Sequence, residues 1–251
     1  FLVLCSHPFF AQDKQETEQL DSLKKIILLS NTDTSKARAM DQVANIFISI
    51  NADSALRWSE RCVAFSTKKG LPKFTGLGYM TMATIFRYNL KLPKAKEAYL
   101  SALNVYSKMN DYNGIAAASG GMMAYHKLAN SLTDSVRFYF DKIVVLSDSI
   151  TDKRVICKAH YNLAVRLLET EDYYAATEHL HQSIKLSEKI HFDDCILYAK
   201  TSLAVVKYRM NNIEESIKLN LEVAPKAKGS KLFNLYPENQ KNLGVCYEAK
   251  G

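Results

Sequence analysis

Between Cys157 and Ile190 the apolar residues recur at helical spacing. Leu163, Ala164 and Leu167 form one stripe, and the polar run Glu169-Thr170-Glu171-Asp172 interrupts it. Tyr173, Ala176, Leu180, Ser183 and Ile184 then form a second stripe, again three and four residues apart. The pattern predicts two helices joined by a short turn. Ala164 and Ala176 are small, which lets two helix backbones approach while larger side chains interlock around them. A hairpin this short cannot bury both of its apolar faces, so similar hairpins are expected on either side.

They are there. An apolar residue followed by a small one recurs at Val43-Ala44, Met82-Ala83, Met123-Ala124, Leu163-Ala164, Leu203-Ala204 and Leu243-Gly244, in steps of 39 to 41 residues. A second site follows in register at Ala55, Ala95, Val136, Ala176 and Ser216. A third lies seven residues later at Cys62, Ala102, Ile143, Ser183 and Val223. Only the first unit slips, by one residue in its turn. The predicted layout is a capping helix over 13–30, whose stripe is Leu20, Leu23, Ile26 and Ile27, followed by units at 34–68, 72–109, 112–150, 152–190, 192–228 and 231–251. The last has only its first helix. Asn31-Thr32-Asp33-Thr34 is a turn with helix-capping chemistry that opens the first hairpin, and Asn51-Ala52-Asp53-Ser54 is that hairpin's turn. Pro72 and Pro93 fall in first turns, where a missing N–H is harmless. Pro225 is expected to kink or end its helix, and Pro237 to bend or delay the last one. Gly120 and Gly121 weaken a helix and point to a close approach or a bend.

The small–large–small spacing resembles that of the tetratricopeptide repeat family. It is carried by Leu163-Ala164, Leu167, Tyr173, Ala176, Leu180 and Ser183, by Ala95, Tyr99 and Ala102, and by Leu243-Gly244, Tyr247 and Gly251. The family's usual period is about 34 residues. The excess of about six residues here, between one and two helical turns, fits a long-period variant. The resemblance covers Thr34 to the end. It implies an all-α, right-handed α–α solenoid of antiparallel helix pairs, with the first helix of each pair lining a concave face. By register that face takes Arg38, Asp41 and Asn45 from the first unit, Arg87 and Tyr88 from the second, and Tyr125 from the third. Lys158 and Tyr161 follow from the fourth, Tyr198, Tyr208 and Arg209 from the fifth, and Lys241 from the sixth. Tyr and Arg combine contact area with hydrogen bonding and suit a protein or peptide partner in the groove. Tyr also fills space between repeats, and part of this set is expected to do that. The Lys/Asn arrangement with which some family members clamp a terminal carboxylate is not visible, so a chaperone C-terminus is not the expected ligand.

Residues 1–11 are apolar up to Gln12 and look like the tail of a secretory signal peptide, cleaved after Ala11. Phe9 stands where a small residue is preferred, and a frayed apolar N-terminus is the alternative. Leu4 argues against a lipoprotein reading of Cys5, and the stretch is too short to span a bilayer. The runs Gln15 to Lys25, Asn31 to Arg38 and Asn51 to Arg61, ahead of long-period repeats, resemble the N-terminal region of exported repeat sensors of Bacteroidetes-type bacteria. Those continue into a membrane helix and then a histidine-kinase module or a DNA-binding output domain. The resemblance implies a periplasmic sensory domain of a two-component protein, tethered by a membrane helix after Gly251. The absent initiator Met and the break in the sixth unit are read the same way, as a piece of a longer chain. The alternative is a stand-alone scaffold, exported or cytoplasmic.

Composition narrows this further. The chain is 47% hydrophobic and 24% charged, ordinary for a folded domain. The net charge of +7 is spread over all units, so no nucleic-acid footprint is expected. Cys5, Cys62, Cys157, Cys195 and Cys246 show neither paired metal spacing nor a disulfide framework; Cys62 falls on a packing position. His179 and His181 are two apart and diverge on a helix, where a metal pair needs three or four. His160 reads as packed, and Asp193-Asp194 as a helix start. Gly76-Leu77-Gly78 lacks the Gly-Lys-Ser/Thr of a phosphate loop. No nucleophile, base and orienting group can be assembled. The residues predict a non-catalytic binding domain with no cofactor and no metal.

Overall fold

The computed structural model describes residues 7–129, 133–230, 232 and 234–251, with side chains from Glu18 onward. Residues 1–6, with Cys5, lie outside that set. Among the described residues there are twelve helices and no strand. They are α1 (His7–Leu29), α2 (Asp33–Phe47), α3 (Ala52–Lys68), α4 (Pro72–Tyr88), α5 (Leu92–Met109), α6 (Tyr112–Leu128), α7 (Thr133–Val145), α8 (Arg154–Glu169), α9 (Tyr173–Lys189), α10 (Asp193–Arg209), α11 (Ile213–Gly229) and α12 (Leu235–Lys250). The fold is an all-α solenoid. α1 starts at His7, so residues 7–11 of the leader-like stretch are helical and continuous with the helix expected over 13–30. α7 stops at Val145, short of the 112–150 unit's expected end, although Ile150 is buried.

Six connections close in the same way. Just past the helix ends, Gly70, Leu90, Asn110, Glu171, His191 and Asn211 adopt positive φ. Each is followed by an N–H that reaches back to a carbonyl five residues earlier, from Leu71 to Ser66, Lys91 to Phe86, Asp111 to Tyr106, Asp172 to Leu167, Phe192 to Ser187 and Asn212 to Lys207. This is the Schellman closure, which satisfies carbonyls orphaned by the helix end. Thr32, Asn51, Asp111, Asp172 and Asn212 then accept from the backbone N–H three residues on, capping the helices that follow. Tight reversals of this kind make successive helices antiparallel neighbours.

The chain divides into two compact units, one ending at Gly121 and the other beginning at Met122. In the first, Leu20, Leu23 and Ile27 of α1 pack on Ala39 and Val43 of α2. Ala37, Met40, Cys62 and Phe74 join α2, α3 and α4, with Trp58, Phe65 and Leu77 around them. Cys62 is fully buried and its Sγ lies 3.5 Å from the Ala37 carbonyl. In the second unit Ile143, Leu163, Leu180, Val206, Val223 and Leu235 are fully buried. Asn239 of α12 donates to Asn220 of α11 at 2.9 Å, and both are buried.

The structure narrows the expectations about prolines and glycines. α11 runs through Pro225 to Gly229 and does not end there. Val223 and Ala227, both buried, anchor the helix on either side. The carbonyl that loses its partner belongs to Leu221, an exposed residue. Pro237 is the third residue of α12, where no intrahelical N–H bond is lost. Gly120 has open space where a Cβ would stand, whereas a Cβ on Gly121 would fall 2.2 Å from the Tyr99 ring. The close approach is therefore made by Gly121 alone.

Candidate functional site

Within each unit the first helices of successive hairpins meet. Among the described residues α2 touches α4, α8 touches α10 and α10 touches α12, whereas no such contact joins α3 to α5 or α9 to α11. The first helices thus form the tighter, inner row, and the side chains they turn away from their partners form the candidate surface.

In the first unit that surface is partly consumed by structure. Arg38 is exposed and lines a groove between α1 and α2. Asn45 donates to the Asp41 carbonyl at 2.9 Å. Asp41, half-buried, accepts from Thr81 of α4 at 3.2 Å, and burial raises its carboxyl above the usual range against the opposing hydrogen bonds. Arg87 donates through Nε to the Tyr99 hydroxyl at 3.3 Å and lies 4.5 Å from the centre of the Tyr88 ring. Tyr88 itself is 64% exposed. Of these residues Arg38, Asn45 and Tyr88 are exposed, Asn45 with its amide already donated to the Asp41 carbonyl, whereas Asp41 and Arg87 are half-buried.

The second unit gathers more. Tyr161 of α8 and Tyr198 of α10 place their ring centres 6.0 Å apart. Tyr161 is hydrogen-bonded to Ser202. Burial pushes its phenol up to about 12, with the Glu238 carboxylate of α12 and Tyr198 adding to the shift. Tyr198 also rests on the cluster of Leu197, Val223, Ala227 and Leu235. Two consecutive first helices thus meet through Tyr161, Tyr198 and Ser202, and the Glu238 carboxylate of the third is near enough to act on the Tyr161 phenol. Lys158 is exposed, its ammonium 5.3 Å from the Phe192 ring, and Lys241 is exposed on α12. Tyr208 and Arg209 line a separate pocket of about 170 Å³ with Val205, Asn242 and Val245. Tyr208 is half-buried against Ile217, Leu243 and Cys246, and Arg209 is exposed at the rim. Tyr125 is half-buried and meets His126 edge-on at 4.9 Å, apart from the others. Ser202 and Glu238 were not singled out in the sequence. Glu238 could have been, because it holds the register position of Lys158 and Tyr198, 40 residues apart. Ser202 carries no such signal.

One contact outside the surface is chemically distinctive. His160 of α8 and His179 of α9 bring their Nδ1 atoms to 3.0 Å, and Phe140 of α7 meets both rings edge-on at 5.0 and 5.2 Å. Spacing within a helix could not reveal a pair formed across a hairpin. Burial lowers His160 to about 4, helped by His179, and burial also lowers His179. Among the described residues no three His, Cys, Asp or Glu side chains gather as a metal site, and no helix is long and apolar enough to cross a membrane.

No protein-family profile matches the chain, and no curated protein sequence does. Solved structures do. A signal-transduction ATPase with numerous domains, carrying a tetratricopeptide repeat sensor, from Pyrococcus horikoshii aligns over 96% of this chain with a TM-score of 0.74 and 14% identity. This chain spans only 37% of that protein. PilW, a type IV pilus biogenesis factor, aligns over 84% of this chain and 89% of its own length, with a TM-score of 0.63 and 16% identity. NprR in complex with its cognate peptide NprX aligns over 93% of this chain and 66% of its own, with a TM-score of 0.63 and 17% identity. At such identities the likeness is one of fold.

Proposed function

We propose that this chain, an all-α solenoid of tetratricopeptide-like fold, is a non-catalytic interaction domain that holds a peptide or protein segment on the inner row of its first helices. The observation that carries this reading is the patch drawn from α8, α10 and α12. There Tyr161, Tyr198 and Ser202 meet within electrostatic reach of the Glu238 carboxylate, with exposed Lys158 and Lys241 on the same helices. Half-buried aromatic rings beside hydroxyl, carboxylate and ammonium groups are what anchor an extended segment and set its polarity. The structural likeness to NprR, solved with a peptide, supports a ligand of that kind.

The finer reading is that of an exported sensor that passes a binding event to a membrane-tethered signalling output. It is supported by the leader-like first residues and by the short motifs between Gln15 and Arg61. The structural likeness to a repeat sensor within a signal-transduction ATPase is in keeping with it. Reading the codons after Gly251 tests it. A span of about 20 apolar residues followed by a kinase or helix-turn-helix pattern is expected, and a capping helix with a stop codon sinks it.

The binding surface is tested by selecting ligands from a random peptide library on the immobilised chain and measuring affinities of the variants. Tyr161→Phe/Tyr198→Phe keeps both rings and removes both hydroxyls, while Lys158→Glu and Lys241→Glu change only exposed positions. Each is expected to weaken selected peptides by about tenfold, on the order of 1.4 kcal/mol, with helicity by circular dichroism unchanged. Unaltered affinity in all three variants removes the assignment.

A further inference from the structure

The groove between the last turns of α1 and the first half of α2 belongs to the first unit, apart from the patch on α8, α10 and α12. Its volume is about 580 Å³, within the range of ligand clefts. Its apolar lining is Ile26, Leu29 and Ala39, beside the neutral Ser30, Ser35 and Gln42, and its two charged groups are Lys25 and Arg38. Leu29 is 76% exposed and Ile26 40% exposed, so this apolar surface stands in water. No carboxylate lines the groove, and among the described residues no ion pair engages either cation. Of the acidic groups nearby in the chain, Asp21 pairs with Lys24, Asp33 pairs with Lys69, and Asp41 accepts from Thr81.

We propose that this groove docks an acidic amphipathic peptide segment. Its apolar side chains cover Ile26, Leu29 and Ala39, and its carboxylates sit between Lys25 and Arg38. The charge pattern selects the occupant. An apolar strip between two unengaged cations stabilises apolar groups paired with carboxylates and repels a basic segment. Two cations in a concavity are too few for the polybasic face that holds an anionic membrane. From the reading above the proposal takes only the kind of partner, a peptide.

The probe is a fluorescein-labelled acetyl peptide of repeating Leu-Glu-Glu-Leu, followed by anisotropy, with Gln-for-Glu and Lys-for-Glu versions beside it. The acidic peptide is expected to bind at least about tenfold more tightly than either, with an affinity that falls as salt rises. K25E/R38E should lower its affinity by about tenfold or more, and Leu29→Ser, at an exposed position, by severalfold. K96E/K108E makes the same change in net charge on α5 and should leave it within about twofold. K158E/K241E should also leave it unchanged, so that a failure here is separable from a failure of the inner-row reading. Three results would overturn the proposal. They are equal losses in K25E/R38E and K96E/K108E, undiminished binding of the Gln peptide, and self-association or binding to phosphatidylglycerol vesicles that the acidic peptide does not displace.

Discussion

Two tyrosines on α5 show how single residues set the close contacts of this solenoid. Tyr99 and Tyr106 are 2% and 3% exposed and seven residues apart, on one face of the helix. A Cβ at Gly121 would meet the Tyr99 ring at 2.2 Å, and one at Gly114 or Gly76 would meet Tyr106 at 2.3 or 2.6 Å. Neither ring has room to withdraw. Tyr99 is further held by the hydrogen bond from Arg87. Gly121→Ala and Gly114→Ala are therefore expected to cost about 1–3 kcal/mol as overpacking. Gly120→Ala, into open space in the same helix, should gain up to about 1 kcal/mol from helix propensity. Urea midpoints followed by circular dichroism check the contrast, and a destabilised Gly120→Ala beside a neutral Gly121→Ala would sink it. The adjacent glycines are indistinguishable as sequence, because only the position of the Tyr99 ring separates them. The left-handed residues that close the turns are unequally legible for a similar reason. Gly70, Asn110 and Asn211 are residue types that adopt this conformation readily. Leu90, Glu171 and His191 do so because the two-bond closure and the packing of both helices outweigh about 1–2 kcal/mol of backbone cost.

At the scale of elements, the contact of α7, α8 and α9 carries a pH dependence. The Nδ1 atoms of His160 and His179 face each other at 3.0 Å, an arrangement that is favourable with one N–H and one lone pair. A second proton there places two donors face to face beside Phe140, with Arg137 adding positive charge and Glu178 and Asp172 opposing it. His160 is lowered to about 4 from an ordinary value of about 6.5, so the folded state binds fewer protons than the unfolded chain. The sign follows: the pair's contribution is complete above about pH 6.5 and is lost as pH falls towards 4. The urea midpoint should fall between pH 7 and pH 5, before most carboxylates titrate, and His160→Phe/His179→Leu should flatten that fall. An equally steep fall in the double variant would assign it to other groups. The helices themselves were readable, since each apolar stripe has helical period and each turn its polar run. The partner of His179 was not, because it comes from the preceding helix and no periodicity within α9 reports it. Pro225 misleads as sequence for a related reason. The helix continues past it because Val223 and Ala227 are buried on either side, and that is decided by how α11 packs.

For the whole molecule, the register of Val43-Ala44 through Leu243-Gly244 made the architecture legible, since a repeated stripe can only be buried by stacking. The candidate surface was legible only in part. The same register that placed Lys158 and Tyr161 on the inner row could not separate Tyr88, mostly exposed, from Tyr198, which rests on a core cluster. Tyr serves both roles, and tertiary neighbours decide between them. A repeat architecture also predicts how damage spreads. Stability in a solenoid is close to a sum of hairpin terms and nearest-neighbour terms, without one central core. Leu180 of α9 is fully buried, in a helix that packs on α8 and α10 and meets Phe140 of α7 at His179. Leu180→Ala should cost about 2–5 kcal/mol, and the loss should be local. In native-state hydrogen exchange the amides of α8, α9 and α10 should lose protection, while those of α2, α3 and α4 keep theirs. Were Leu180→Ala to lower protection equally in α2–α4, the chain would be unfolding as a single cooperative block. The neighbour-to-neighbour account of its stability would then fail.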